Sequence, residues 1–262
     1  MRRLVLLLIA GVAAAQEGGL AEGPLTVGLG EADLGTGHRA RPCSEVSLAA
    51  RGGAVIDGAD FYGSIAADAL LSGSWAVSRR AELFGTFEFV RWQFVQNATL
   101  KGTALGLGQL TLGGSWVAFE RGRFVLTPYL RALLPTATDA PHSHTVGGEL
   151  GAAAALRASP HWQFHGYLGG DLTAGLSAAP ADLRAGLIVD AGLQYSPRNW
   201  FGLAVDLIGR FGQRAAVDTV APTVALRFRL WRSLGAELNA LVPIVGADRH
   251  LAVVAVRTSW QF

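Results

Sequence analysis

Few residues in this chain could perform nucleophilic or acid–base chemistry. His142, Ser143 and His144 are consecutive. A serine beside a histidine forms a catalytic pair only when a third group orients the imidazole ring, and the sequence shows no such group. We interpret these residues as solvated loop residues. A lipid-modifying enzyme acting at the rim of a membrane barrel is an alternative.

Two further histidines and the glycine-rich stretches are candidate binding groups. His161 and His165 are four residues apart, which on a strand is about 13 Å and too far for one metal ion. The stretches Gly106-Leu107-Gly108 and Gly113-Gly114 precede no helical pattern, so they predict close packing in strands rather than a phosphate-binding loop. The sequence therefore predicts no catalytic residue, no cofactor and no metal site.

The elements that would position any site are best defined in the stretch from Leu251 to Phe262. Alternate residues ending at Trp260 and Phe262 form an uncharged face, and the opposite face carries Arg257. A period of two predicts a strand, and an uncharged face with terminal aromatic residues is typical of a wall between lipid and water. A strand ending in phenylalanine resembles the closing strand of bacterial outer-membrane barrels, where this residue is part of the signal read by the barrel-assembly machinery. A buried edge strand of a soluble sheet is the alternative.

Composition restricts the class of protein. The 262 residues are 50% hydrophobic and 16% charged, below the roughly 25% charge of soluble domains. After the N-terminus no uncharged apolar run reaches about 18 residues, which argues against a membrane-spanning helix. Dispersed hydrophobicity fits a membrane barrel or a soluble β-sandwich. The net charge of +2, without a basic block, does not indicate nucleic-acid binding.

The N-terminus predicts export. Residues 1–15 have a positive start, an apolar stretch and a small-residue cleavage site, as in a secretory signal peptide. Residues 16–44 are rich in glycine and proline and are expected to form a periplasmic lead-in segment. Residues 45–262 are expected to form an outer-membrane β-barrel. Cys43, the single cysteine, cannot form an internal disulfide.

Short and long connections between the predicted strands alternate along the chain. Tight ones are expected near 79–80, 121–122, 159–160, 197–198 and 232–233, and longer ones lie between them. This asymmetry is typical of outer-membrane barrels. It predicts an all-β, transmembrane, antiparallel, up-and-down β-barrel of about twelve strands, with 10–14 possible. Both ends of the barrel domain would then lie on the periplasmic side.

The alternation also predicts which side chains face lipid and which face the interior. Leu203 and Leu226 are expected to face outward and Thr127 inward. Substitution by arginine should therefore lower the stability of the barrel much more at either leucine than at Thr127. Ten charged residues are expected to line the lumen: Arg131, Glu149, Arg157, Arg184, Asp190, Asp206, Arg227, Arg229, Glu237 and Arg257. They either neutralise one another across strands or form a polar constriction that selects a solute.

Three stretches carry a family resemblance: Leu105–Gly114, Ser74–Leu83 and Leu133–Asp139. They resemble the Gly-Leu-Gly-Asp-Leu-Thr-Leu-Gly signature, the aromatic hairpin and the Leu-Pro-Thr-Gly loop of the MetA-pathway-of-phenol-degradation family, whose members are outer-membrane channel proteins. Gln109 stands where the family has aspartate, and Ala137 where it has glycine. The resemblance covers roughly residues 60–262. It implies a barrel that transports small compounds, often aromatic or apolar.

We therefore expect a bacterial outer-membrane channel that works by passive uptake or efflux of small solutes, aromatic or apolar compounds among them, through a charged lumen, and that is not an enzyme. Its expected partners are outer-membrane lipid, a small-molecule solute and the barrel-assembly machinery, which would bind the strand ending at Phe262. The alternative is a non-transporting structural or interaction barrel with a plugged lumen.

Overall fold

The fold was analysed in a computed structural model that describes residues 42–57, 62–96, 101–138, 145–176, 182–198, 200–212, 219–231, 233–245 and 250–262. The predicted signal peptide (1–15), most of the predicted lead-in segment (16–44) and His142-Ser143-His144 lie outside these residues. The strands are β1 (Glu45–Asp57), β2 (Tyr62–Ala76), β3 (Ala81–Gln96), β4 (Lys101–Gly106), β5 (Leu110–Trp116), β6 (Phe119–Arg121), β7 (Phe124–Leu134), β8 (Thr145–Arg157), β9 (Trp162–Gly175), β10 (Asp182–Arg198), β11 (Phe201–Phe211), β12 (Thr219–Arg229), β13 (Leu234–Leu241) and β14 (His250–Gln261).

The strands form one closed antiparallel barrel. Each strand pairs with its neighbours in the chain, and β1 pairs with β14 to close the ring. The segments β4, β5 and β6 follow one another end to end along a single line of the wall. The first two, β4 and β5, both pair with β3, and β5 and β6 both pair with β7. Together they make one interrupted wall strand, so the barrel has twelve strands. The predicted fold class is confirmed.

The two faces of each strand differ as the alternation predicts. On β14 the side chains of Val254, Val256 and Trp260 are 45%, 51% and 57% exposed, whereas Val253 and Ala255 are buried. The buried face elsewhere carries the charged residues, and the exposed face carries leucine, valine and tryptophan. A soluble sandwich would show the opposite arrangement. A continuous exposed apolar belt on a closed barrel requires lipid, and the closed ladder leaves no unpaired sheet edge there.

The two ends of the barrel differ in their connections. At one end, here called the short-turn rim, β6 and β7 are separated by residues 122–123, where Gly122 has a φ of 62° that favours glycine. At the other end, the loop rim, β7 and β8 are separated by residues 135–144. The turn predicted at 197–198 instead falls between Arg198 and Phe201, because β10 extends through Arg198.

Exposed aromatic residues gather at the short-turn rim. In the described part of the chain, all the exposed tryptophan and phenylalanine side chains lie at this end, either near the end of a strand or in a turn. They are Trp75, Trp116, Phe119, Trp162, Phe164, Trp200, Trp231 and Trp260. We call this set the aromatic girdle. The exposed apolar side chains nearer the loop rim, such as Leu172, Leu183 and Leu105, are aliphatic. No helix in the described part of the chain is both long and apolar enough to span a membrane.

Candidate functional site: the interior of the barrel

The ten residues predicted to line the lumen lie at different depths. Glu149, Asp190, Asp206 and Arg227 are buried, and Arg157 is exposed near the short-turn rim. The other five are partly buried: Arg131, Arg184, Arg229, Glu237 and Arg257. That they line a passage for solutes stays a prediction. His161 lies in the turn before β9, where it is exposed and its Nδ1 contacts the backbone oxygen of Ser196 at 3.0 Å.

Four buried charged residues form a network that joins β1, β2 and β3. Arg51 Nε donates to Asp68 Oδ2 at 3.0 Å, and Arg51 Nη2 pairs with Glu88. Arg91 lies 3.7 Å from Asp68 and 3.4 Å from Glu88. The two positive and two negative charges sum to zero, and each charged group lies next to a group of opposite sign. Removing one member would leave an uncompensated charge in a buried position.

The alternation does not predict Arg91 in this network, because β3 contains an irregularity. The register with β2 shifts between Ala69 and Leu70, which pair with Val90 and Glu88, so Phe89 is an extra residue. This bulge reverses the alternation. Glu88 and Arg91 therefore both face the interior, although their spacing in an unbroken strand would place them on opposite faces.

A second network spans β7, β8 and β9. Arg131 and Glu149 are directly opposite in the ladder and form an ion pair. Tyr167 Oη donates to Glu149 Oε1 at 2.5 Å. The ring of Tyr167 occupies space left by two glycines: a Cβ at Gly151 or Gly169 would overlap the phenol group. Small residues on the wall thus let one large polar side chain lie flat against it.

A histidine and a carboxylate meet across strand β10. Gly192 pairs with His165 of β9 on one side and with Asp206 of β11 on the other. His165 Nε2 contacts Asp206 Oδ1 above this glycine. A Cβ at Gly192 would overlap both of these atoms and lie 2.8 Å from Asp206 Cγ. Glycine is therefore required between the two strands that carry the pair. Asp190 lies on the same buried face, diagonal to Asp206.

Further ion pairs lie toward the short-turn rim. Arg227 lies opposite Glu237, with Nε 3.6 Å from Oε2, and its Nη1 donates to Gln194. Arg257 pairs with Glu45 across β14 and β1. The charged residues of the interior are thus largely arranged in pairs of opposite sign, which is the structural role considered for them from the sequence.

Two stretches that carry the family resemblance contact each other. The break between β4 and β5 contains Gly108, whose backbone N–H donates to Glu88 O at 2.8 Å. Leu110 N donates to Thr136 Oγ1 at 2.7 Å, and Thr138 N to Leu107 O at 2.9 Å. The stretch following β7 therefore satisfies backbone groups that the interrupted wall strand leaves unpaired. These motifs have a structural role in the wall.

No reacting centre emerges from the described residues. Within them, no group of three or more histidine, cysteine, aspartate or glutamate side chains is placed to hold a metal ion. The His165–Asp206 pair has no serine, threonine or cysteine hydrogen-bonded to its imidazole, and His165 Nδ1 has no hydrogen-bond partner. The arrangement can neutralise and orient charge inside the barrel.

Solved structures of other proteins share the fold of this chain. No family model and no curated protein matches the chain. An outer-membrane channel from Pseudomonas putida F1 superposes with a TM-score of 0.69 at 12% identity, over 84% of this chain and 96% of that one. The KdgM porin, solved with disordered oligogalacturonate, has a TM-score of 0.57 at 9% identity, over 82% and 99% of the two chains. The translocator domain of the autotransporter NalP from Neisseria meningitidis has a TM-score of 0.53 at 12% identity, over 100% and 96%.

The closed barrel, its exposed apolar belt and these similarities define a transmembrane β-barrel of the bacterial outer-membrane type. The chain is therefore an outer-membrane protein. At identities of 9–12% the feature shared with the solved structures is the fold.

Proposed function

We propose that this chain is an outer-membrane channel through which small solutes diffuse passively without a cofactor. The observation that carries the proposal is the chemistry of the interior, where charged and hydroxyl side chains extend from Glu45 at the short-turn rim to Asp171 and Arg184 near the loop rim. Side chains fill the interior of barrels of about eight strands, whereas twelve strands enclose a wider interior whose polar lining can hold water. The similarity in fold to an outer-membrane channel supports the same function.

A row of hydroxyl groups provides an uncharged polar surface within this interior. Ser47, Ser72, Thr86 and Thr111 are successive cross-strand partners on β1, β2, β3 and β5. Thr86 Oγ1 donates to Ser72 Oγ at 3.0 Å. Hydroxyl groups both donate and accept hydrogen bonds, so such a row can replace part of the hydration shell of a polar solute.

The size and polarity of the interior favour small polar or zwitterionic solutes. Twelve strands about 4.8 Å apart and tilted by about 40° give a backbone radius of about 12 Å. Inward-facing side chains such as Arg131 and Arg227 take up part of that space, so a solute that passes must be small. Paired charges of both signs offer hydrogen bonds to polar solutes and little apolar surface to an aromatic hydrocarbon. We therefore favour polar solutes over the aromatic or apolar compounds that the family resemblance implies.

One observation favours a second candidate, a barrel that does not conduct. Thr127, Ile208, Ala221 and Leu241 are inward-facing residues with 0% exposed area. The interior is packed at these positions. A structural or interaction barrel with a filled lumen has this property, and so does a channel whose passage runs past the partly exposed Ser72 and Thr86.

Cysteine accessibility distinguishes the two candidates. In a Cys43→Ser background, Ser72→Cys places a thiol on the inward face of β2, and Leu71→Cys places one on the adjacent outward position, which is 48% exposed. A channel predicts single-channel conductance in planar bilayers. It also predicts that a water-soluble, positively charged thiol reagent blocks Ser72→Cys and leaves Leu71→Cys unchanged. Absence of conductance from the parent, together with an unreactive Ser72→Cys thiol, would support the filled barrel instead.

Liposome swelling tests the class of solute. A polar channel should admit small sugars and amino acids faster than aromatic solutes of similar mass. Faster swelling with aromatic solutes would contradict the preference for polar solutes while leaving the channel intact.

Insertion into the outer membrane is expected to depend on the barrel-assembly machinery. Trp260 is exposed toward lipid on β14, and the backbone N–H of Phe262 donates to Ser44 O at 3.1 Å, which extends the β1–β14 seam. We propose that the machinery binds this strand. Phe262→Ala should lower the amount of folded barrel in the outer membrane without altering the stability of molecules refolded in detergent; equal membrane levels would contradict this.

A further inference from the structure

A group of buried polar side chains beside the His165–Asp206 pair has atoms without any hydrogen-bond partner in the described part of the chain. Asp190 is 4% exposed and neither carboxylate oxygen is bonded. Asp206 is 2% exposed and Oδ2 is unbonded. Thr223 Oγ1 and both side-chain atoms of Asn239 are also unbonded, with 0% and 1% of these residues exposed. Buried polar groups in proteins are nearly always hydrogen-bonded, so these atoms call for an explanation.

The ladder register places three of these side chains together. Asp206 is directly opposite Thr223, and Asp190 is diagonal to Asp206 because their partners are Ile208 and Gly192. Asn239 is on β13, three strands and four residues along the ladder from Asp190, which is too far away to share a ligand with it. Diagonal neighbours on one sheet face are about 7–8 Å apart, which is short enough for the side chains of Asp190, Asp206 and Thr223 to converge on one point.

The acidic groups of this patch have no arginine partner among the described residues. His165 Nε2 contacts Asp206 Oδ1, and this contact orients the carboxyl group. No described arginine forms an ion pair with Asp190. The nearest arginine on the facing strand is Arg210, two positions beyond Ile208 toward the loop rim, and its Nε is itself unbonded. In the paired networks of the interior, by contrast, each carboxylate lies within 4 Å of an arginine.

We propose that Asp190 and Asp206, with Thr223, form a binding site for a small, singly charged cation. All the available ligand atoms are oxygens of carboxylate and hydroxyl groups, which suit alkali metal ions and the protonated amine of a solute. The absence of a third carboxylate or a free imidazole nitrogen aimed at the same point argues against a dedicated divalent or transition-metal cage. The site lies on the inward wall, and its existence does not depend on whether the barrel conducts.

Thermal unfolding of the purified full-length barrel in detergent tests the site without any measurement of transport. At constant ionic strength, potassium or methylammonium replaces the bulky N-methyl-glucamine cation. A site with a tenfold excess of cation over its Kd should raise Tm by about 3–6 °C. A rise in Tm with both cations would identify a site that binds small cations by their charge. A rise with methylammonium alone would identify a site for an amine.

Variants locate the effect. Asp190→Asn should abolish the cation-dependent rise in Tm, whereas Glu45→Gln, which alters a carboxylate paired with Arg257 in another part of the interior, should keep it. Thr223→Val, which removes a neutral ligand, should reduce the rise and provides the same test if Asp190→Asn does not fold. A thallium anomalous peak between Asp190 and Asp206 in a crystal would place the ion.

Two results would overturn the proposal. One is a wild-type Tm that does not respond to either cation, which would mean that the carboxyl groups share a proton instead. The other is an equal response in Asp190→Asn and wild type, which would place the cation elsewhere. Neither result bears on the channel proposal, which is tested by conductance and thiol accessibility.

Discussion

Replacing Gly192 with alanine should break the His165–Asp206 contact. The added Cβ would lie 2.8 Å from Asp206 Cγ and would overlap the atoms that join the two side chains. Each of two buried polar groups then loses its partner, at a cost of about 1–3 kcal/mol per group. Alanine recovers about 0.5–1 kcal/mol through the lower freedom of the unfolded chain. The expected net loss is about 1–5 kcal/mol in the free energy of unfolding.

Gly170 provides the matched control. It lies on the outward face of β9, and a Cβ there would meet its nearest neighbour, Gly186 O, at an ordinary distance of 3.5 Å. Gly170→Ala should leave the stability unchanged or slightly higher. Urea unfolding in lipid vesicles, followed by tryptophan fluorescence, measures both variants. Equal stability of Gly192→Ala and Gly170→Ala would refute the reasoning, and so would an undiminished cost of Gly192→Ala in an Asp206→Ala background.

Three further predictions concern the wall, a buried pair and the rim. Leu168→Arg, at a side chain 59% exposed on the lipid-facing side of β9, should cost about 2–4 kcal/mol in vesicles if it lies near the bilayer midplane, and a cost below 1 kcal/mol would contradict the assigned face. Arg131→Met should cost about 3–5 kcal/mol because the buried Glu149 would lose the arginine that pairs with it. Arg131→Met with Glu149→Gln should cost less than the single change, as a double-mutant cycle in urea would show. Tryptophan fluorescence should be quenched more by lipids brominated near the headgroup than by lipids brominated near the chain ends, and the reverse order would argue against an aromatic girdle at the interface.

One expectation about stability changes with the structure. The alternation correctly predicts that Thr127 faces inward, and a water-filled lumen would make arginine cheap there. Thr127 has 0% exposed area, so an arginine at this position has no space and should be destabilising through overpacking. Alternation identifies the face of a strand, but it carries no information about how much room remains on that face.

Most of the fold could be predicted because most of the wall is regular. β14 has no irregularity over its pairing with β13, so counting by two from Phe262 assigns its faces correctly. The same count fails in β3, where the extra residue Phe89 shifts Arg91 to the interior. A bulge changes the alternation without a distinctive residue type, so only the register reveals it.

The interior site is harder to predict because it depends on partners far apart in the sequence. His165 and Asp206 are 41 residues apart and meet only because Gly192 lies between them in the ladder. Glycine at this position has no distinguishing sequence signal among the 34 glycines of the chain. The alternation predicts that Arg131 and Glu149 both face inward, whereas their pairing follows from the register of β7 and β8.

The aromatic girdle has a consequence for how the barrel sits in its bilayer. Indole rings prefer the depth of the lipid headgroups, so tryptophans gathered at one end fix the height of that end. Toward the loop rim most outward-facing side chains are aliphatic and prefer no particular depth within the hydrocarbon, and the partly exposed rings of Trp92, Phe94 and Phe211 are few by comparison. If the membrane becomes thicker or thinner, most of the adjustment should therefore fall on the leaflet around the loop rim, while the short-turn rim stays at a nearly constant level.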